Sequence, residues 1–226
     1  LGVIEIGTEP DAATIENASL VLNMIMKDWQ TDGIKLWTVG DINLPLVTGQ
    51  TEYNIGPAGS ATTVDLVTDK PLRLIQAYLR NNSVSPAVDI PMTIISEQEY
   101  IILGSKFSQG TTNSVFYKPL VNYGKLRVFL TPDTNTATNY ILKLNVQRPI
   151  QDITQANQTF DFPQEWYQAL RWGLASELAP EYGLDQKAAM IIQRAEMYKQ
   201  RLMAWDVENA STFFQPDIRS TNIKFR

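Results

Sequence analysis

Residues 162–183, FPQEWYQALRWGLASELAPEYG, decide how this chain is read. Tyr167, Leu170, Leu174 and Leu178 recur at steps of three and four, which sets them on one face of a helix. Asp161 and Pro163 mark its start, because the first helical turn has no use for the donor that proline lacks. Pro180 is expected to stop it, and a turn through Gly183 leads into LDQKAAMIIQRAEMYKQRLMAWDVENA. There Ala188, Ile191, Ala195, Tyr198, Leu202 and Trp205 form a narrow seam of near-heptad spacing. Such a helix, beginning near Asp185, is roughly 25 residues and about 35–40 Å long.

Working outward, a third helix is expected at the other end of the chain, after Pro10. Asp11 or Thr8 lies near its cap, and it runs to about Asp32, with Gly33 just past its end. Ile15, Ala18, Leu22, Ile25, Met26 and Trp29 share one face. Between the helical ends the period changes to two. Ile42, Leu44 and Leu46 alternate, and LVTGQTEYNI reads as a hairpin turning at Thr48-Gly49-Gln50. Leu72, Leu74, Gln76, Tyr78 and Arg80 read as one strand and residues 90–95 as another. Ser96 and Glu99 read as a capping box. Residues 115–117, 125–130 and 139–146 complete the β set.

The expected fold is therefore α+β. An antiparallel helical bundle (residues 1–34 and 151–209) carries an inserted antiparallel β-sandwich or barrel-like module (35–150), followed by an extended arm (211–226). The chain begins at Leu1 without a methionine, and an earlier helical turn is expected ahead of it.

Composition narrows the function. The 226 residues contain no cysteine and no histidine. Disulfides, thiolate nucleophiles, Ser-His-Asp catalysis and the usual zinc sites all need a sulfur or an imidazole. Histidine is also the side chain that does most acid–base work near neutrality. Net charge is −5, whereas tight duplex binding draws on a basic surface that displaces counterions from phosphate. The chain reads as a poor clamp for DNA but as a conduit DNA can slide through.

No apolar run reaches the roughly 20 residues that span a bilayer. Gly56-Pro57-Ala58-Gly59 lacks the lysine and helix of a phosphate loop. Asp41, Asp65, Asp69 and Asp89 have no calcium-loop spacing. Glu97/Glu99 and Glu177/Glu181 read as a cap and an exposed helix face. No catalytic, cofactor or metal site is expected. Trp166, Trp172 and Trp205 read as core or subunit-contact residues in preference to stacking platforms for single-stranded nucleic acid.

The order of several words adds a resemblance. A helix ends in DWQTDG, followed by LVTGQTEYNIG, RLIQAYLRN, an S-x-x-E-Y helix start and GKLRVFLTP. The closing helix contains Ala169-Leu170-Arg171 and Glu177-Leu178-Ala179-Pro180-Glu181-Tyr182-Gly183. From Asp11 to Trp205 this order resembles the head-to-tail adaptors of tailed bacteriophages, in particular the short-tailed phage family of packaged-DNA stabilisation proteins or tail accessory factors. The opening helix of that family is missing here, and the C-terminal segment is longer than in many of its members.

The resemblance implies a structural virion protein without enzymatic activity, made and assembled in the host cytoplasm. It implies a dodecameric ring at the head–tail interface, beneath the portal and around the double-stranded DNA channel. Asp28, Asp32, Glu177 and Glu181 are candidates to line such a channel. The C-terminal arm is then expected to reach the portal through Phe213, Phe214, Gln215, Pro216, Ile218, Arg219, Ile223 and Phe225. The β module is expected to face the tail nozzle or tube, or a neighbouring subunit. Tyr167, Leu170, Leu174, Leu178, Ile191, Tyr198, Leu202 and Trp205 are expected to pack the bundle or its subunit contacts. The alternative is a tail-associated carbohydrate-binding or cell-wall-degrading protein, with the β module as its platform.

Overall fold

Short polar side chains at the starts of helical stretches set the boundaries of this protein. The computed structural model describes residues 10–32, 36–153 and 161–206. Asp11 caps α1 (Ala12–Thr31) by accepting from the Thr14 N–H at 2.9 Å. Ser96 and Glu99 form the expected capping box on α2 (Glu97–Ile102). Asp133 caps α3 (Thr134–Asn139) through the Thr136 N–H, a helix absent from the sequence reading. Gly33 lies outside the described residues.

A 3-10 turn at Gln164–Trp166 leads into α4 (Tyr167–Glu181), and α5 spans Asp185–Trp205. Pro180 does not stop α4; it sits inside the last turn. The stop is a Schellman cap, in which Leu184 N–H reaches Ala179 O and Gly183 N–H reaches Pro180 O. Gly183 adopts the left-handed backbone (φ +65°) that the cap requires.

α4 packs against both α1 and α5. Asn17 near the start of α1 donates to Glu181 at the end of α4, at 2.8 Å. Trp29 near the end of α1 lies against Gly173, where an added Cβ would meet its ring at 3.1 Å. A glycine inside a helix costs about 1 kcal/mol relative to alanine, and here it admits the indole. α1 thus runs opposite to α4, as does α5 after its short turn. The helical core contains Leu22, Ile25, Met26, Trp29, Ile150, Ile153, Phe162, Trp166, Ala169 and Leu170, with Tyr198 and Leu202 at its border. Ile15 is exposed and contributes nothing to it.

The middle of the chain forms three sheets. In the first, β1 (Val39–Pro45), β4 (Arg73–Asn81), β5 (Val88–Pro91) and β11 (Tyr140–Gln147) pair antiparallel in the order β1-β11-β4-β5. Pro45 is tolerated because β1 is an edge strand. The second is mixed. It contains β2 (Glu52–Gly56), β3 (Leu66–Val67), β6 (Thr93–Ile94), β8 (Ser114–Pro119) and β9 (Gly124–Phe129), ordered β3-β2-β9-β8-β6. A small parallel pair joins β7 (Gln109–Gly110) to β10 (Thr131–Pro132).

Leu44, Ala77, Leu79, Leu142 and Leu144 of the first sheet share one core with Tyr53, Ile55, Val115, Leu126 and Val128 of the second. Fully burying each of these leucines, valines and isoleucines contributes about 1.5–3 kcal/mol. None of the sheets closes into a barrel.

Three sequence expectations change here. The turn through Gly49 does not close a hairpin, because β1 and β2 belong to different sheets. It carries the chain across the shared core, where the Val47 N–H donates to the Tyr53 hydroxyl at 3.0 Å. Residues 90–95 are two strands, and the chain changes sheets at Met92, whose N–H bonds Ala77 O while that of Thr93 bonds Asn113 O. In β4 the ladder shifts register, so that Asn145 faces Gln76 but Val146 faces Leu74. Ile75 is the extra residue of a bulge. It reverses the alternation, which is why Ala77 and Leu79 are buried where periodicity selected Gln76 and Tyr78.

Ion pairs and hydrogen bonds join the two layers. Arg148, just past β11, holds Asp161 through two bonds of 2.5 and 2.8 Å. Arg148 N–H also bonds Thr38 O, Trp37 Nε1–H donates to Asp161 O, and Lys27 reaches both Ile150 O and Asp152. Arg148's hydrogen bonds hold the Asp161 carboxyl below the usual carboxylate range, outweighing its burial. A depressed folded-state value gives stability that is complete above the unfolded value, about 3.9, and is lost as pH falls through the lower, folded one. Asp161→Asn is therefore expected to destabilise by about 1–3 kcal/mol near neutrality. It should also flatten the loss of stability between about pH 5 and pH 3, followed by urea unfolding at each pH. An unchanged pH profile in the variant would remove this pair from the acid response.

Candidate functional site

The carboxylates singled out in the sequence fall into two groups. Those weighed as metal ligands stay apart. Asp41 accepts from Asn145 on β11, and Asp89 pairs with Arg80 across β4 and β5. Asp65 binds Gln50 and the Asn54 N–H in the other sheet. Glu99 closes its capping box, and Glu97 pairs with Lys118. Among the described residues no group of three or more acidic side chains is placed to hold a metal ion, and no helix is long and apolar enough to cross a membrane.

Of the four carboxylates weighed as channel-lining, three converge, and Asp32 pairs with Lys199 outside the lining. Asp28 on α1, with Glu177 and Glu181 on α4, borders one groove of about 670 Å³ between α1 and α5. Glu196 on α5 joins them, a residue the linear sequence did not single out. The inner wall is apolar, built from Val21, Ile25, Trp29, Gly173 and Ala195. Met24 and Ile192 stand on opposite rims, both exposed. Lys199 is the basic residue of the lining, and its charge is engaged: it pairs with Asp32 at 2.7 Å and lies over the Trp29 ring. Among the described residues that line it, the groove therefore has an apolar floor and a mainly acidic rim.

Two further surfaces expose apolar side chains. On α5, Met190, Met197 and Trp205 are exposed, besides Ile192 on the groove rim. On the β layer, Ile101, Ile102 and Phe107 form an apolar tip after α2, the last two 80 % exposed. Lys106 fastens that tip by donating to Ile101 O and Leu103 O, with its ammonium over the Tyr100 ring. No periodicity marked this tip, since its apolar residues fall around the end of a six-residue helix.

The predicted packing residues divide accordingly. Leu170, Leu178 and Ile191 are buried, and Leu174, Tyr198 and Leu202 partly so. Tyr167 and Trp205 are exposed on the single chain, at 41 % and 63 %, and take no part in its core. Trp166 is fully buried among Trp29, Trp37 and Phe162, and Trp172 carries Arg194 over its ring at 5.0 Å. Trp37 joins this cluster from a 3-10 turn, where no repeat could reveal it. The arm residues Phe213 to Phe225 lie outside the described residues. Compared with known proteins, the chain matches no family model and no curated protein.

Proposed function

We propose that the protein is a structural connector, a head-to-tail adaptor of a tailed phage virion. It forms a ring, most simply a dodecamer, below the portal, surrounds the DNA channel, retains packaged DNA and receives the tail nozzle or tube. Its helices act as a bundle, and the two facing sheets as a sandwich projecting from it. The observation that carries this reading is the pair of apolar surfaces on different layers, one along α5 and one at the α2 tip. Large exposed apolar patches mark association sites, and a connector needs separate contacts for separate partners. Ring closure needs heterologous contacts, in which one face of a subunit meets a different face of the next. The acidic rim of α1, α4 and α5 would repel phosphate and let DNA pass without sticking.

The test is sedimentation of the pure protein with and without portal rings. The expected result is co-sedimentation in multiple copies per portal ring. Indifference to the portal would overturn the reading. Retention on cell-wall polysaccharide in its place would favour a tail-associated carbohydrate-binding protein.

A further inference from the structure

The groove between α1 and α5 has chemistry that matches one segment of this same chain. We propose that it receives the chain's own C-terminal segment, with Phe213 and Phe214 on the apolar floor and the basic residues beyond them on the acidic rim. This inference concerns the free subunit, in which the segment would cover the rim that the adaptor reading turns toward DNA, and its failure would leave that reading untouched.

Three observations carry it. The first is charge. Asp28, Glu177, Glu181 and Glu196 border the groove, while Lys199 is already engaged by Asp32. Beyond Asp217, residues 218–226 contain Arg219, Lys224 and Arg226 and no acid, and Glu208 is the other acid of the segment. The second is shape and polarity. Ile25, Trp29, Gly173 and Ala195 leave an apolar trough, in which the Trp29 indole lies flush against Gly173. Adjacent aromatic side chains bring large apolar area at low entropic cost, as interface anchors do.

The third is reach. α5 runs along the groove as far as Lys199 and continues to Trp205, so the segment starts about 9 Å beyond one end of the trough. Ala195 lies back along the helix by about 16 Å at 1.5 Å per residue. Residues 207–213, extended, cover about 23–25 Å. About five extended residues cover that distance, which leaves two for the chain to turn back and set Phe213 on the floor. A segment held this way is unavailable to any other partner until it is released.

The absence of cysteine from the 226 residues provides a clean background for the test. In the full chain, Ile192→Cys with Phe214→Cys places one thiol on the groove rim and one on the segment. Gln168→Cys with Phe214→Cys is the control, since Gln168 is exposed on the end of α4 nearer Asp206. An undirected segment would meet the nearer thiol more often. Under mild oxidation the expected result is an intramolecular disulfide at position 192 forming about tenfold faster than at 168, as an effective-concentration advantage. Equal or slower formation at 192 would overturn the proposal. A disulfide between two copies would also overturn it and assign the groove to a neighbour's segment.

Adding Glu177→Lys and Glu196→Lys should slow the cross-link about fivefold while leaving the far-ultraviolet circular dichroism unchanged. No slowing would remove the charge match. If Ile192→Cys fails to fold, Met24→Cys on the opposite rim gives the same reading.

Discussion

Trp166→Ala is expected to lower the unfolding free energy by about 3–5 kcal/mol, the range for deleting a large buried aromatic. Trp166 is fully buried where α4 begins. Trp37 lies 5.1 Å from it between ring centroids, Trp29 6.0 Å and Phe162 6.2 Å. These rings come from four places in the chain: α1, the turn before β1, the segment after residue 160, and the turn into α4. Removing the central ring therefore loosens the contact of α1 with α4 and the seat of Trp37 together.

A companion variant separates packing from polarity. The Trp166 indole N–H is buried and finds no acceptor among the described residues. Trp166→Phe gives up volume but no hydrogen bond, and is expected to cost less than about 2 kcal/mol. Urea unfolding with an unchanged slope is the measurement. An alanine variant within about 1 kcal/mol of the parent would mean that this cluster is not the centre of the helical core.

The second large effect is expected at Gly124, opposite Pro119 and beside Tyr117. A Cβ there would lie 2.0 Å from the Tyr117 hydroxyl oxygen and 2.4 Å from two ring carbons. The ring cannot simply swing away, because the hydroxyl donates to Pro71 O at 2.5 Å. Burial pushes the pKa of that hydroxyl well up, so the donor stays protonated. Gly124→Ala should cost about 2–4 kcal/mol, from overpacking and the lost hydrogen bond. Tyr117→Leu removes the obstructing part of the ring. In a double-mutant cycle the two changes should couple by about 1–3 kcal/mol, with the pair less damaging than the sum of its members. Strict additivity would show that the glycine is not there for the tyrosine.

Helices α1, α2, α4 and α5 were legible because their signals are local, whereas the six-residue α3 was missed despite its Asp133 cap. Asp11 with Thr14, Ser96 with Glu99, and Gly183 after Pro180 each act within a few residues of a boundary. The sheets were legible only as strands. A period of two tells which side chains share a face, not which sheet a strand joins. The turn at Gly49 therefore looked like a hairpin, and the change of sheets at Met92 left no mark on the pattern. At Ile75 one inserted residue inverted the face of every residue after it in β4.

The candidate site shows the same division. Asp28, Glu177 and Glu181 were singled out from their places on helices. Glu196 was not, because only the packing of α1 and α5 on α4 gathers these charges around one groove.

The strands that lead into and out of the β layer are neighbours. Val39 faces Gln147, and the ladder continues to Pro45 opposite Ile141. Everything between them departs from and returns to almost one point, a strand spacing of about 5 Å apart. A replacement loop joining residue 38 to residue 148 would have only that gap to bridge. Such adjacent ends would let either layer be lengthened, trimmed or exchanged over a lineage's history, with residues 38 and 148 as natural cut points.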